Sequence, residues 1–235
     1  QLDDADLSYT MGDTELGASG LHADILLGKN PRFRLTAREL SAKGEKIPPF
    51  QASLETVFSL QNNALDVSSF RLFSGNSQAQ TGGLIDLKSF QGALSTELLL
   101  AFDSFKQVFN LKSPADGRIR ADGKITLQEG KTLLSRIVLD LGIRGEFYLE
   151  SLMEVLKVEE KLLGWIRAEG KVTGSLADIR GAGTAELTKG NLFDVEVDRL
   201  KCSVDYAQGQ MHFRNAEANL YNGTATASAM IVLPV

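Results

Sequence analysis

The sequence has few of the residues that define several protein classes. Its 235 residues include one cysteine, Cys202, which excludes an internal disulfide framework. The alternating run around Cys202 predicts a small, buried side chain rather than a reactive thiol. Acidic residues outnumber basic ones, giving a net charge of -5 and a pI near 5.2. This balance argues against nucleic acid as a partner, because binding to phosphates requires a basic surface.

Long hydrophobic runs are also missing. No segment reaches the roughly 18 to 20 apolar residues that cross a bilayer. The acidic start, QLDDADLSYTMGDTE, is not a signal peptide. The chain lacks an initiator methionine, so we expect it to be a segment of a longer protein. The last apolar run extends to Val235, and we also expect neighbouring segments to continue the structure.

Sequence motifs for catalysis and metal binding are absent. His22 and His212 each stand alone, with no second histidine or cysteine at the spacing of metal ligands. There is no G-x-S-x-G, G-x-x-x-x-G-K-[ST] or H-E-x-x-H motif. We therefore expect a protein that is not an enzyme and that uses no cofactor and no metal.

The sequence does contain a strong alternation of apolar and polar residues with a period of two. This period is typical of β-strands whose two faces differ. Only five prolines occur, and few interrupt the runs, where a missing N–H would break a ladder. Turn-like clusters separate the runs: SGNS from Ser74, QTGG from Gln80, ADG from Ala121, AQGQ from Ala207 and YNGT from Tyr221. The connections are short, so we predict an all-β fold of a dozen or more largely antiparallel strands.

Two segments follow a helical period instead. FDSFKQVF from Phe102 and LESLMEVLKVEEKLL from Leu149 place apolar residues on one helical face. Both are short and neither is basic, so we expect amphipathic helices that pack on the chain's own sheet rather than on a membrane.

These helical segments begin an internal repeat. Residues 103–126 align with residues 150–173 without a gap. Within it, GRIRADGKIT from Gly117 and GWIRAEGKVT from Gly164 are identical at seven of ten positions. Such a repeat indicates a unit that gains a continuous core by stacking on its neighbours. We interpret the unit as a short helix followed by strands that meet at the ADG or AEG turn, and residues 1–235 as one repeat-built β domain.

The second half of the chain carries a recognisable order of motifs. A short helix precedes GWIRAEGKVTGS, and then come LADIRGAGTAELTKGNLF, the DYAQGQ turn and LYNGTATASAMIVL. In this order the chain resembles the AsmA-like and TamB proteins of Gram-negative envelopes. The resemblance implies an elongated, curved sheet that forms a gutter-like apolar groove in the periplasm. It also implies a tether to the inner membrane through an N-terminal helix that this sequence lacks.

The same resemblance implies a function. Such proteins carry phospholipid between the inner and outer membranes, and some assist outer-membrane protein assembly, so an outer-membrane protein is a further expected partner. The physical argument agrees, because two short helices cannot cover one face of a large sheet, and buried apolar area contributes about 25 cal/mol per Å². With aromatic residues at only 7%, the face suits a hydrocarbon chain better than sugars or bases, which stack on aromatic rings. It equally suits the filled core of a β-sandwich.

We therefore predict a non-catalytic groove that binds phospholipid or another acyl-chain ligand. The alternation assigns its candidate lining to Ile119, Ile125, Ile137, Leu139, Ile166, Val172, Val195, Val197, Met211, Phe213 and Ile231. A slip of one residue in any strand would turn its set outward. A structural or adhesive β-solenoid without lipid cargo remains an alternative. An enzyme built on a β-helix is a third, but it needs carboxylates clustered with Lys or Arg on one strand face.

Overall fold

Strands dominate the computed structural model of the chain. Residues 1–11, 13–44, 50–106, 111–114, 116–155, 162–192, 194–221 and 223–232 are described. Strands account for 78% of these residues, and the sheet that they form is not closed. The predicted all-β, largely antiparallel fold is confirmed.

The described residues form fourteen strands whose order in the sheet follows the sequence. Each strand pairs with the one before it in the antiparallel sense, as expected where most connections are short. The strands are β1 (Leu2–Met11), β2 (Thr14–Leu26), β3 (Arg32–Lys43), β4 (Phe50–Gln61), β5 (Ala64–Ser74), β6 (Ser77–Asp86), β7 (Gln91–Ala101), β8 (Gly117–Leu127), β9 (Ile137–Tyr148), β10 (Leu162–Ser175), β11 (Asp178–Leu192), β12 (Val195–Ala207), β13 (Gln210–Leu220) and β14 (Gly223–Val232).

Three short helices interrupt the strands within the described residues: α1 (Phe102–Phe105), α2 (Leu133–Arg136) and α3 (Leu149–Val155). α1 and α3 begin where the sequence predicts helices. Residues 107–109 and 156–161 of the two predicted helices lie outside the described residues. Leu162 and Leu163, the last residues of the second predicted helix, belong to β10 instead, so this part of the prediction is wrong. α2 was not predicted. It begins with a capping box in which Thr132 and Ser135 each accept a hydrogen bond from the other's backbone N–H.

Two of the predicted turns are confirmed by positive φ values. Gly75 (φ 55°) joins β5 to β6, and Gln208 (φ 52°) with Gly209 (φ 75°) joins β12 to β13. In the YNGT cluster, Tyr221, between β13 and β14, has φ 48°, whereas Asn222 lies outside the described residues.

The QTGG and ADG clusters are not turns, and these predictions are wrong. QTGG lies inside β6 and ADG inside β8, so the repeat unit has one continuous strand where we expected a corner. Gly123 has φ 152°, and a Cβ there would collide with the carbonyl oxygen of Asp140. Glycine at this position permits a close approach of two backbones rather than a reversal of the chain.

Both copies of the repeat nevertheless begin with the same order of elements. α1 precedes β8, and α3 precedes β10. Gly117, the first residue of β8, and Gly164, the third residue of β10, occupy equivalent repeat positions and have φ values of 127° and 135°. A side chain at either residue would be strained. The glycine near the start of each repeat strand is therefore set by backbone geometry.

The chain divides into two compact units. Unit 1 comprises Gln1–Leu100 and Lys124–Glu129, and unit 2 comprises Ala101–Gly123 and Gly130–Val235. In unit 1, large side chains pair across neighbouring strands. Phe33 lies opposite Phe58, for example, and the two rings stack with centroids 4.9 Å apart.

Candidate apolar binding face

In unit 2 the register of the strands separates an apolar face from a charged one. Residues that lie opposite each other in an antiparallel pair share a face. One apolar row runs across six strands in the order Leu141, Val172, Gly181, Tyr206, Met211 and Ile231. The next row is Ile143, Gly170, Gly183, Val204, Phe213 and Ala229. Alternation thus places the apolar side chains of five or more strands on one side.

Small residues occupy the middle of this face. The floor consists of Ala168 and Gly170 on β10 and Gly181, Gly183 and Ala185 on β11. Larger side chains flank it on both sides: Leu139, Leu141 and Ile143 on β9, and Val204 and Tyr206 on β12. We call this floor with its two walls the apolar groove.

The floor glycines differ in their surroundings. A Cβ at Gly183 would collide with the carbonyl oxygen of Glu169, and one at Gly170 would lie 2.5 Å from the carbonyl oxygen of Ala182. These two positions accept only glycine without a shift of the backbone. At Gly181 the nearest atoms would be Tyr206 Cβ at 3.5 Å, the carbonyl oxygen of Lys171 at 3.8 Å and Val172 Cγ2 at 3.9 Å, which are ordinary contacts. Gly181 therefore has room for a side chain, and that side chain would enter the groove.

α3 covers one end of the groove. Leu149, Leu162 and Leu187 form a buried cluster, and Leu187 is only 3% exposed. Met153 of α3 packs against this cluster from the helix. The partly buried sheet residues that pack against it are Ile166, Leu192 and Leu200. This cluster, which we call the α3 cluster, supplies the solid core of unit 2.

A loop before β8 holds α3 in place. The carboxylate of Glu154 accepts hydrogen bonds from the backbone N–H groups of Lys112 (2.8 Å) and Ser113 (3.1 Å) and from Ser113 Oγ (2.7 Å). These donors hold the pKa of Glu154 below its usual value. Ser151, which is fully buried, accepts from Ser113 Oγ and donates to the carbonyl oxygen of Pro114.

α1 covers a second, smaller part of the face. The ring of Phe102 is 5% exposed and stacks on Phe147 of β9, with centroids 5.3 Å apart. Gly145, beside Phe147, leaves space for Ile119, because a Cβ at Gly145 would lie 3.1 Å from Ile119 Cγ1. Ile119 therefore lies over β9 on the apolar face.

The remainder of the groove is only half-buried. Of its walls, Leu141 is buried, whereas Leu139, Ile143, Val204 and Tyr206 are all partly exposed. The accessible surface of the whole chain is 15311 Å², whereas a compact monomer of 25.5 kDa exposes about 10,400 Å². The chain thus leaves more of its surface in contact with solvent than a compact monomer of the same mass.

Most of the predicted lining residues lie in unit 2. Val172 and Leu139 lie in the groove, and Met211, Phe213 and Ile231 extend its rows onto β13 and β14. Ile137 begins β9, two residues before Leu139. Ile166 packs against the α3 cluster. Ile125 falls in the segment Lys124–Glu129, which belongs to unit 1.

Val195 and Val197 lie near the covered end. Val197 is 5% exposed and pairs with Gly190, where a Cβ would meet the side chain of Leu187. Val197 therefore shares the face of Leu187, although strict alternation from Leu200 predicts the opposite face. Lys189, at φ 50°, interrupts the alternation here. Val195 pairs with Leu192 and remains 40% exposed.

The sequence analysis missed the floor itself. Gly170 belongs to the AEG cluster that we interpreted as a turn, and it lies inside β10. The available signal was a run of glycine and alanine at every second position of β11, from Gly181 to Ala185. Cys202, which follows this floor in register, is buried as predicted, and burial raises the pKa of its thiol.

No family model, curated protein or solved structure matches the chain. Across the part of the chain that the structure describes, no helix is both long and apolar enough to cross a membrane. Within that same part, histidine, cysteine and carboxylate side chains form no group of three or more that could hold a metal ion. The arrangement that remains as a candidate site is the apolar groove.

Proposed function

We propose that the apolar groove of unit 2 holds an acyl chain of a phospholipid. In this proposal the chain is a non-catalytic segment of an AsmA-like or TamB-like envelope protein that moves phospholipid between the inner and outer membranes. Such a segment would work in the periplasm, tethered through a part of the protein outside this sequence, and would support outer-membrane biogenesis with an outer-membrane partner. One observation carries the proposal: half-exposed aliphatic walls stand beside a floor of glycine and alanine.

The length of the groove matches this ligand. Strands rise about 3.3 Å per residue, so the distance along β11 from Ala185 to Ile179 is about 20 Å. The hydrocarbon of one membrane leaflet is about 15 Å deep, half of a core of about 30 Å. One extended acyl chain therefore fits along the floor between the α3 cluster and Ile179.

The chemistry of the lining also favours hydrocarbon. The floor and walls contain a single side-chain hydroxyl, that of Tyr206, and no charged group. Each CH₂ buried there contributes about 0.8 kcal/mol, and a sugar or peptide would leave its polar groups without partners at a cost of about 1–3 kcal/mol each. A flexible hydrocarbon chain meets no such cost.

Lipid recovery from matched variants tests the proposal. The wild-type chain is purified without detergent and extracted with organic solvent, and phospholipid is measured by mass spectrometry. Gly181→Leu places an isobutyl group in the groove, whereas Ala182→Leu adds the same group next to it, on the exposed charged face. We expect phospholipid with the wild type and with Ala182→Leu, and at least a tenfold loss with Gly181→Leu.

Two results would contradict lipid binding. Recovery of no phospholipid from the wild type would leave the scaffold without cargo as the better account. Equal recovery from Gly181→Leu and Ala182→Leu would show that any bound lipid lies elsewhere. Circular dichroism of both variants establishes that the sheet is retained.

A further inference from the structure

The charged face of unit 2 contains a depression of about 480 Å³. Gly145, Ala168 and Ala185 lie side by side in register across β9, β10 and β11. Their Cβ positions face the apolar groove on the other side of the sheet, so only their backbone lines the depression. Long side chains in the rows before and after them form its two walls.

In one wall each carboxylate has an arginine partner. Glu146, Arg167, Glu186 and Lys201 follow each other in register across four strands, with alternating sign. The guanidinium of Arg167 lies 3.8 Å from the Glu146 carboxylate. Glu186 accepts two hydrogen bonds of 2.9 Å from Arg199, which lowers the pKa of its carboxyl group. Both carboxylates of this wall are therefore paired.

The arginines of the opposite wall have no such partner. Gly117 lies against Phe147, and Gly123 lies against Leu141, a register that places Arg120 across from Arg144. Both arginines are exposed, and neither has an ion pair with any residue that the structure describes. Like charges directly opposite each other on a sheet repel. Two adjacent guanidinium groups thus stand without an ion pair, although Glu169 lies across from Arg144 in register.

We infer that this depression binds a phosphoryl anion between Arg120 and Arg144. Five basic and three acidic side chains line it, in a chain with a net charge of -5. Each guanidinium donates two parallel N–H groups. A carboxylate ligand has oxygens for only one such guanidinium, whereas a phosphoryl group has enough oxygens to accept from both. The depression lies on the face opposite the apolar groove, so the inference does not rest on the proposed function.

The charged neighbours predict how variants behave. Glu169 lies directly across from Arg144 in register, so Glu169→Gln removes a carboxylate that opposes the anion and tightens binding. Arg144→Gln and Arg120→Gln each remove one guanidinium group. We expect each variant to bind the anion about 3- to 10-fold more weakly, as is typical of a charge-assisted contact open to solvent. Arg180→Gln is the matched control, because Arg180 is on the same sheet and pairs with Asp178 at 2.9 Å.

The experiment uses two kinds of probe at low ionic strength, since salt screens exposed charges. Inorganic phosphate and glycerol 3-phosphate are titrated by calorimetry, and vesicles of phosphatidylglycerol in phosphatidylcholine are tested by flotation. Binding of the soluble probes that weakens in Arg144→Gln supports a free phosphoryl ligand. Binding of vesicles alone, with the same dependence on Arg144, supports a lipid headgroup.

Three outcomes overturn the inference. The first is that no probe binds to the wild-type chain. The second is that Arg120→Gln and Arg144→Gln bind as the wild type does. The third is that Arg180→Gln weakens binding as much as they do, which would reduce the effect to the general charge of the face.

Discussion

Units 1 and 2 share the same alternating pattern, yet their apolar faces differ. In unit 1 the inward positions carry Phe33, Phe58 and Phe70, and threonine hydroxyls lie among them. Thr56 Oγ1 donates to the carbonyl oxygen of Ser69 at 3.1 Å. In unit 2 the corresponding central positions are glycine and alanine, and helices cover only part of the face. Period two thus determines which side is apolar, and the size of the inward residues determines whether that side is filled or grooved.

The largest expected effect concerns the buried leucine cluster of unit 2. Leu187→Ala removes a side chain that is 3% exposed in the α3 cluster, and we expect a loss of about 2–5 kcal/mol in the free energy of unfolding. Leu84→Ala in unit 1, at a residue 55% exposed, should cost about 0.5 kcal/mol or less. Urea unfolding measures both. A loss below about 1 kcal/mol for Leu187→Ala would contradict the assigned core.

The groove floor allows a sharper comparison within unit 2. Gly183→Ala forces a Cβ into the Glu169 carbonyl oxygen, and we expect it to cost about 1–3 kcal/mol. Gly181→Ala meets only ordinary contacts, and its effect should stay within about 1 kcal/mol. The fluorescence of Trp165, which is the only tryptophan and lies in unit 2, follows unfolding in urea. Equal losses for the two variants would disprove the assigned difference in packing.

Acidic pH should weaken the hydrogen bonds through which Glu154 fixes α3 to the loop before β8. The pKa of Glu154 is lowered in the folded chain from its ordinary value of 4.5. The stabilisation is therefore complete above pH 4.5 and is lost as the pH falls through the lowered value. Glu154→Gln removes this contribution. Between pH 5 and the acid limit of folding, we expect the urea midpoint of the variant to decrease less than that of the wild type. Equal decreases would contradict a stabilising role of the Glu154 carboxylate.

In unit 1, a rise in pH rather than a fall should weaken the contacts of His22 with two carboxylates. His22 Nδ1 lies 2.7 Å from the carboxylate of Asp3 and Nε2 lies 3.2 Å from that of Asp24. These contacts raise the pKa of His22 above 6.5, so their stabilisation is complete below that value and is lost as the pH rises through the raised pKa. We expect Asp3→Asn to lower this pKa in an NMR titration. An unchanged titration would show that Asp3 does not contact His22 in solution.

Much of the fold could be predicted because alternation is a local signal. Runs such as Leu21–Ile25 and Leu94–Leu100 fall in β2 and β7, and the helical segments begin where the apolar spacing changes. Glycine was the principal source of error. Gly123 and Gly170 have the same local sequence as turn residues, but the approach of a neighbouring strand decides their role, and that neighbour is distant in sequence.

The groove was predicted in outline and not in its parts. Leu139 and Val172 were assigned to it by periodicity alone. Ile125 obeys the same periodicity, and its segment belongs to unit 1, because membership of a unit depends on long-range contacts. The alternation of β11 is interrupted between Leu187 and Gly190 by the positive φ of Lys189, which no side-chain pattern reveals. Arg120 and Arg144 become neighbours only through the pairing of β8 with β9.

The most direct test of the central claim is photo-crosslinking from the two faces of one strand. A photoreactive phenylalanine derivative replaces either Val204, in the groove wall, or Ser203, which pairs with Thr184 on the charged face. After irradiation in cells, mass spectrometry measures phospholipid attached to each variant. We predict lipid adducts at Val204 and none at Ser203. Equal labelling of the two positions, or no labelling at Val204, would contradict an acyl chain in the groove.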